Sequence, residues 1–307
     1  MTLNYAAVSF VVAVCLSAAV LDQPERSVAL AAAGRSAPVR FQNGYFVAFD
    51  RPSSTTSLFG RDGSQRPDLV LTNVAGVADV TVRTVAVSPH RWLVAAASCH
   101  SADSQVMSAL IWIDPSGKVT SVVRTSPNSV LALAFASDGT LWTAGQEYRT
   151  PGHHVARQFD GTGKMIRSLL PVESFPRRQW LAHAAELVEM AAPNDGGIGM
   201  FVPASSEWID ISKSGDATRT KLPVATDGKE LVTGVALADN GDPLLSIQPV
   251  TGEGPARLMR YRRSERKTEI LQECELQSCG WAHVAGADGK QLVMEGPRGQ
   301  FGWFSLP

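Results

Sequence analysis

The sequence predicts an all-β fold: a six-bladed β-propeller of four-stranded antiparallel blades. Three observations support this prediction. A strand–turn–strand unit recurs six times, each unit continues into further strands, and the last unit is one strand short. Self-similarity at this period is typical of proteins that stack supersecondary units, and radial stacking of four-stranded sheets gives a propeller.

The repeating unit is a short apolar strand, a tight turn rich in Asp, Asn and Gly, and a second apolar strand. Clear copies run over 133–142, 235–245 and 284–293. Looser copies run over 39–47 and 85–94, and a further, longer copy ends with 194–198. Asn-Gly or Asp-Gly between apolar runs favours a hairpin, because both turn residues must reach positive φ. The turn markers are Gly44, Arg91, Gly139, Gly196, Gly241 and Gly289, at intervals of 47, 48, 57, 45 and 48 residues.

The end of the chain predicts how the ring closes. Each hairpin is followed by a third strand, as in 110–113 and 301–304, and five units then continue into a fourth strand. We expect a strand near 27–32 to complete the last blade, because an open blade edge would leave backbone groups unpaired. One domain over 22–307 is predicted, with blades that start near 39, 85, 132, 182, 234 and 283.

The repeated apolar, Asp-Gly, apolar pattern over about residues 37–307 resembles the broad superfamily of six-bladed propellers that includes NHL-repeat and gluconolactonase or regucalcin-like proteins. The resemblance lies in the blades, and it implies the fold. Some members of that superfamily are metal-dependent hydrolases or lyases and others only bind. The resemblance therefore implies no single activity.

Composition and motifs exclude several classes of function. The chain is 44% hydrophobic and carries 28 basic against 29 acidic side chains, so no overall field attracts nucleic acid or an anionic membrane. A basic ribbon from Arg257 to Lys267 contains Glu265 and is expected to be a solvated outer hairpin. The motifs of a nucleophile elbow, a phosphate-binding loop and a dinucleotide fold are missing. We expect no cofactor and no nucleic-acid partner.

The N-terminus predicts export. Residues 6–21 are an apolar run, shorter than the about 20 residues of a membrane span but suited to a secretory signal. Ser17-Ala18-Ala19 offers small residues for cleavage, although no Lys or Arg precedes Arg26. We expect 1–21 to be a signal peptide or short anchor, no other membrane segment, and a periplasmic or extracellular location.

The pair Cys274 and Cys279 is a disulfide candidate. Only four residues separate the two cysteines, and a local disulfide fits an exported protein. Two free thiols remain the alternative, since a metal site would need two further ligands that the neighbouring sequence does not supply.

Two histidines are candidates for the central channel, which the first strand of each blade lines. His183 follows Trp-Leu-Ala and His283 follows Trp-Ala, each just before the hairpin of its blade. If both face the channel, they could bind a ligand, coordinate a metal or act as acid and base. The alternative is two packed or solvent-bonded histidines. No catalytic residue can be named.

Repeated carboxylates have a structural explanation. Asp62, Asp114, Asp160 and Asp210 recur at the ends of third strands. They belong to separate blades, too far apart to share a calcium ion. An Asp before a Gly-containing turn accepts hydrogen bonds from the backbone of that turn, so we expect turn capping.

The function expected from these features is that of an exported, non-catalytic binding or scaffolding module. Its partner, a protein or a small molecule, would bind at the face formed by the loops. The alternative is a metal-assisted hydrolase or lyase with an ion in the central channel, held by His183, His283 and unassigned carboxylates.

Overall fold

The structure is a computed structural model that describes residues 21, 23–31, 39–50, 52–72, 74, 76–147, 150–175, 189–191, 196–224 and 229–306. Within these residues the chain forms six antiparallel sheets of four strands. The predicted fold class, a six-bladed propeller with four-stranded blades, is confirmed.

The first three blades follow one another along the chain, each from the channel outward. They are β2 (Arg40–Gln42), β3 (Tyr45–Asp50), β4 (Thr55–Gly60) and β5 (Leu69–Val70); β6 (Val77–Val87), β7 (Leu93–Ser101), β8 (Val106–Ile113) and β9 (Val119–Arg124); and β10 (Ser129–Phe135), β11 (Leu141–Gln146), β12 (His154–Phe159) and β13 (Met165–Pro171).

The last three blades repeat this order, except that the outer strand of blade 6 comes from the N-terminus. They are β14 (Glu189–Ala191), β15 (Ile198–Val202), β16 (Glu207–Ile211) and β17 (Ala217–Lys221); β18 (Glu230–Leu237), β19 (Pro243–Pro249), β20 (Pro255–Arg262) and β21 (Lys267–Glu275); and β22 (His283–Asp288), β23 (Gln291–Glu295), β24 (Gln300–Ser305) and β1 (Arg26–Ala29). Among the described residues, three short 3-10 helices span Val172–Ser174, Pro203–Ser205 and Pro297–Gly299.

The ring is closed by the two ends of the chain. Strand β1 pairs antiparallel with β24, so that Val28 lies opposite Phe301. Strand β2 of blade 1 contacts β22 of blade 6, which joins the first and last blades. The closing N-terminal strand predicted from the missing last strand is therefore confirmed, and it pairs an edge that would otherwise be open.

The hydrophobic core consists of six separate layers, one between each pair of neighbouring blades. Alternate residues of one strand enter different layers, because successive side chains point to opposite faces of a sheet. In β23, Leu292 and Met294 pack toward blade 5, whereas Val293 packs toward blade 1. Burial of both faces explains why the strands read as continuous apolar runs rather than as polar–apolar alternation.

Aspartates cap several of the blade turns, as expected. One carboxylate oxygen of Asp114 accepts hydrogen bonds from the backbone N–H of Ser116 at 2.8 Å and of Lys118 at 3.0 Å. Asp160 makes the equivalent bonds, and Asp62 caps a similar turn. Asp210 differs, since it accepts from the indole of Trp208 and from the Arg263 guanidinium.

Innermost strands carry β-bulges that recur from blade to blade. The register shifts by one residue once in each of β10, β18 and β22, and at two places in β6. In blades 5 and 6 the shift occurs at Gly234 and Gly286. A Cβ at Gly234 would collide with the backbone of Val284, and one at Gly286 with the backbone of Phe41. The bulge glycines therefore let neighbouring innermost strands approach closely.

Candidate functional site

A cavity of about 320 Å³ lies in the central channel of the propeller. Five of the six innermost strands line it, namely β2, β10, β14, β18 and β22. Because every blade has the same strand order, the innermost strands run in one direction along the channel. At one end of the channel, which we call the loop face, each innermost strand begins after the connection from the preceding blade. At the other end, which we call the hairpin end, each innermost strand turns into the second strand of its own blade.

Polar groups at the hairpin end of the cavity are used to hold the blades together. Asn43 donates to the carbonyl of Val87 in blade 2 at 2.7 Å, and Gln42 accepts from the N–H of Val87 at 3.2 Å. Asp288 accepts from the Trp303 indole at 2.8 Å and is paired with two arginines. These contacts account for the polar side chains at this end.

The loop-face end of the cavity brings together Arg40 and His283. Arg40 is the first residue of β2 and His283 is the first residue of β22, and these two strands are neighbours in the ring. Within the described part of the chain, neither ring nitrogen of His283 takes part in a hydrogen bond. His283 is partly buried and lines the cavity.

The environment of His283 favours its neutral form. Removal from water, with the nearby positive charge of Arg40 as a second cause, lowers the pKa of His283 to about 4. Both effects penalise the imidazolium cation. At neutral pH the side chain is therefore an uncharged imidazole that can donate one hydrogen bond and accept another.

Glu295 lies beside His283, a pairing that no sequence pattern predicts. The two residues are direct partners in the β22–β23 ladder, and such pairs have Cβ atoms about 5 Å apart. Burial raises the pKa of Glu295. The hairpin turn at Asp288 and Gln291 would by itself place His283 opposite Gly296, and the bulge at Gly286 moves Glu295 into that position.

Four residues are predicted from the sequence for the site or its disulfide, namely His183, His283, Cys274 and Cys279. His283 lines the channel, as described above. His183 lies outside the described residues, so its proposed meeting with His283 stays a prediction. The structure joins Cys274, near the end of β21, to Cys279, in the connection that leads from blade 5 to His283, as a disulfide with Cα atoms 5.4 Å apart. Whether the purified protein contains this bond remains a prediction.

The described residues contain no cluster of three or more His, Cys, Asp or Glu side chains with the geometry to hold a metal ion. Among those same residues there is also no helix with the length and apolar character that crossing a membrane requires.

Arginines of the basic ribbon in blade 5 are largely paired. Arg257 contacts Glu230, Arg260 contacts Asp242, Arg262 contacts Glu269 and Arg263 contacts Asp210. These contacts neutralise much of the charge that the sequence places on this hairpin.

Comparisons with known proteins bear on the fold. No protein-family model matches the chain, and no curated protein matches it. Solved structures do. A virginiamycin B lyase from Staphylococcus aureus, solved with quinupristin, is 12% identical, with a TM-score of 0.51 over 92% of this chain and 99% of that one.

Two proteins from Bacteroides are similar in shape. A member of the DUF4221 family from Bacteroides vulgatus is 9% identical, with a TM-score of 0.59 over 92% of this chain and 97% of that one. A Bacteroides fragilis protein whose name describes it as exported is 9% identical, with a TM-score of 0.56 over 88% and 82% of the two chains. The chain shares their fold. Identities this low carry no residue-level correspondence.

Proposed function

We propose that the chain is an exported, non-catalytic β-propeller that binds a small polar molecule in the loop-face mouth of its central channel. The observation that carries the proposal is the cavity of about 320 Å³ with Arg40 and His283 at its loop-face end. This volume is at the lower end of the range of small-molecule sites, about 300–1,000 Å³. The imidazole of His283, the first residue of a rigid strand, can orient a ligand there.

The chemistry of the mouth supports binding more than catalysis. General acid–base catalysis works best when the pKa of the group lies near the operating pH. A His283 pKa of about 4 makes the imidazole a fixed hydrogen-bonding group at pH 7. The charged residue beside it, Arg40, has a guanidinium group, which is a hydrogen-bond donor and not an acceptor.

Export is supported by the N-terminal apolar run over 6–21 and by the small residues Ser17-Ala18-Ala19. The pairing of Cys274 with Cys279 fits an oxidising compartment. The similarity in fold to a Bacteroides fragilis protein named as exported agrees with this location.

The proposal is tested by incubating purified protein with a small-molecule extract of the source organism, followed by native mass spectrometry. We expect one small molecule to be retained at one equivalent, and to be lost in His283→Leu. His90→Leu is the matched control, since His90 is exposed on the hairpin turn of blade 2 and should retain the ligand. Equal retention by His283→Leu, or no retained molecule, would refute the proposal.

The same protein preparations also test the alternative function, a metal-dependent hydrolase or lyase. Elemental mass spectrometry on untagged protein should find no stoichiometric metal if the site binds an organic ligand alone. One equivalent of zinc or calcium that disappears in both His183→Ala and His283→Ala would replace the proposed function with a metal-assisted hydrolase or lyase.

A further inference from the structure

We infer that an ordered water molecule is bound between blades 2 and 3, in a buried polar cluster formed by Asn128, Thr143, Glu147 and Arg157. The cluster belongs to blade 3 and lies near the loop face, since Asn128 directly precedes β10 and Glu147 directly follows β11. None of the four is among the described residues that line the channel cavity, so this water site is separate from the proposed ligand site.

Four side-chain atoms of the cluster are buried without a partner. Within the described part of the chain, neither the amide nitrogen nor the amide oxygen of Asn128 takes part in a hydrogen bond, and the same holds for the Thr143 hydroxyl and for Nε of Arg157. Asn128 is 1% exposed and Thr143 is 0% exposed. Buried polar groups are costly to leave unpaired, and in folded proteins they bond to other protein groups or to ordered water.

These atoms lie on the face of blade 3 that packs against blade 2. Leu133 and Val130 belong to the hydrophobic layer between the two blades, and they are the ladder partners of Thr143 and Gly145. Thr143 and Gly145 therefore face blade 2. Arg157 is the partner of Thr143 in the β11–β12 ladder, and such pairs lie on the same face with Cβ atoms about 5 Å apart.

Gly145 makes room for the Asn128 amide. A Cβ on Gly145 would lie 2.5 Å from the amide oxygen and 3.0 Å from the amide nitrogen of Asn128. The amide therefore occupies the space that a side chain at position 145 would fill. Thr143 is two residues away on the same strand, about 7 Å along it. One water with two hydrogen bonds of about 2.8 Å connects groups about 5–6 Å apart, which is the scale of this cluster.

Blade 2 also becomes polar at this level. Ala96 and Leu110 are ladder partners in the hydrophobic layer, and the next partners toward the loop face on the same side of the sheet are Ser98 and Ser108. Ser98 accepts a hydrogen bond from Arg83 at 2.7 Å. Polar side chains of both blades therefore follow the apolar layer where the cluster begins.

The chemistry of the cluster favours water over an ion. Arg157 contacts Glu147, so the two opposite charges compensate each other. Nε of Arg157 can donate, the Asn128 oxygen can accept, and the Thr143 hydroxyl can do either. The ligand must therefore both donate and accept, and it must fit between two packed blades. Water meets these requirements, and a buried water typically makes about 3 hydrogen bonds to groups of this kind.

A crystal structure of the unaltered protein tests the inference directly. We expect an ordered water at hydrogen-bond distance, about 2.7–3.2 Å, from the Asn128 amide and from either the Thr143 hydroxyl or Nε of Arg157. A structure in which these groups bond to one another or to other side chains, with no water among them, would overturn the inference. An ion or an organic molecule at this place would also overturn it.

Variants test the same site in solution. Relaxation dispersion of ¹⁷O counts waters that stay bound for longer than the protein takes to tumble, and exchange of threonine hydroxyl protons does not contribute to an oxygen signal. Thr143→Val keeps the side-chain shape and removes the hydroxyl, and Asn128→Leu removes both amide groups. We expect each variant to lose at least one long-lived water. Thr218→Val, at an exposed position in the outer strand of blade 4, is the matched control and should lose none.

An unchanged number of long-lived waters in both cluster variants would refute the inference. The crystal structure needs no variant, so its result stands even if a change at Asn128 prevents folding. Neither measurement depends on retention of a small molecule in the channel, so the inference and the proposed function can fail independently.

Discussion

Gly286→Ala should be among the more damaging single-methyl additions in this protein. Gly286 sits at the bulge of β22, where the innermost strand of blade 6 meets that of blade 1. A Cβ there would lie 3.0 Å from the carbonyl carbon of Phe41 and closer still to its oxygen. Carbon atoms in favourable contact are about 3.5–4.0 Å apart, so the added methyl group overlaps backbone.

The expected loss of stability is large because backbone, and not a side chain, must move to make room for the added methyl group. A flexible side chain could rotate away, but the obstacle is the β2 backbone, and β2 is held in a ring that blades on both sides confine. Relief requires a shift of roughly an ångström across the seam, which disturbs a closely packed layer. Overpacking of this kind typically costs about 1–3 kcal/mol, and a backbone obstacle places Gly286→Ala near 3 kcal/mol.

The assay is equilibrium unfolding in urea, followed by tryptophan fluorescence, for Gly286→Ala and for Gly280→Ala. A Cβ at Gly280 meets nothing within 4 Å, so this control has the same chemistry without the overlap. We expect the control to stay within about 1 kcal/mol of the unaltered protein, since Gly-to-Ala changes at compatible sites have small effects. Equal stabilities of the two variants would refute the close approach of β22 and β2.

Two further predictions follow from the hydrogen bonds and charges. Ser246→Ala should lower the free energy of unfolding, measured in urea, by about 1–3 kcal/mol. The reason is that the Val284 N–H, which donates to the Ser246 hydroxyl at 3.1 Å, loses its buried acceptor. Ser27→Ala, at an exposed position, is the control. His283 has a depressed pKa in the folded state, so stability present above pH 6.5 should fall by about 3 kcal/mol as the pH drops toward 4. His283→Leu should remove that part of the pH dependence, and an unchanged pH profile in this variant would contradict the burial of a neutral imidazole.

The fold could be predicted because every blade is built from the same local pattern of apolar strands and turn residues. Every strand needs apolar residues on both faces, since each blade packs against two neighbours, and every turn needs residues that tolerate its backbone. The six copies of this pattern, together with a last copy one strand short, were sufficient to predict the ring and its N-terminal closing strand. The confirmed fold and closure are properties of local sequence repeated six times.

The chemistry of the channel mouth could be predicted only in part. His283 was found because it precedes a hairpin, but its neighbour Glu295 depends on a one-residue bulge that strand patterns do not reveal. Arg40 was not singled out, although it opens its innermost strand as His283 does. A comparison of the first residues of all innermost strands could have found it, since equivalent positions in a propeller meet at one end of the channel.

The site itself depends on closure of the ring. Arg40 belongs to the first blade and His283 to the last, so no local motif contains both residues, and they become neighbours only when blade 6 packs against blade 1. The same seam holds the contact between Gly286 and Phe41 and the aromatic layer that includes Trp303. Strand β1 completes blade 6, and β2 follows it in blade 1. The N-terminal strands therefore supply both the ring closure and one side of the proposed binding site, which links stability at this seam to ligand binding.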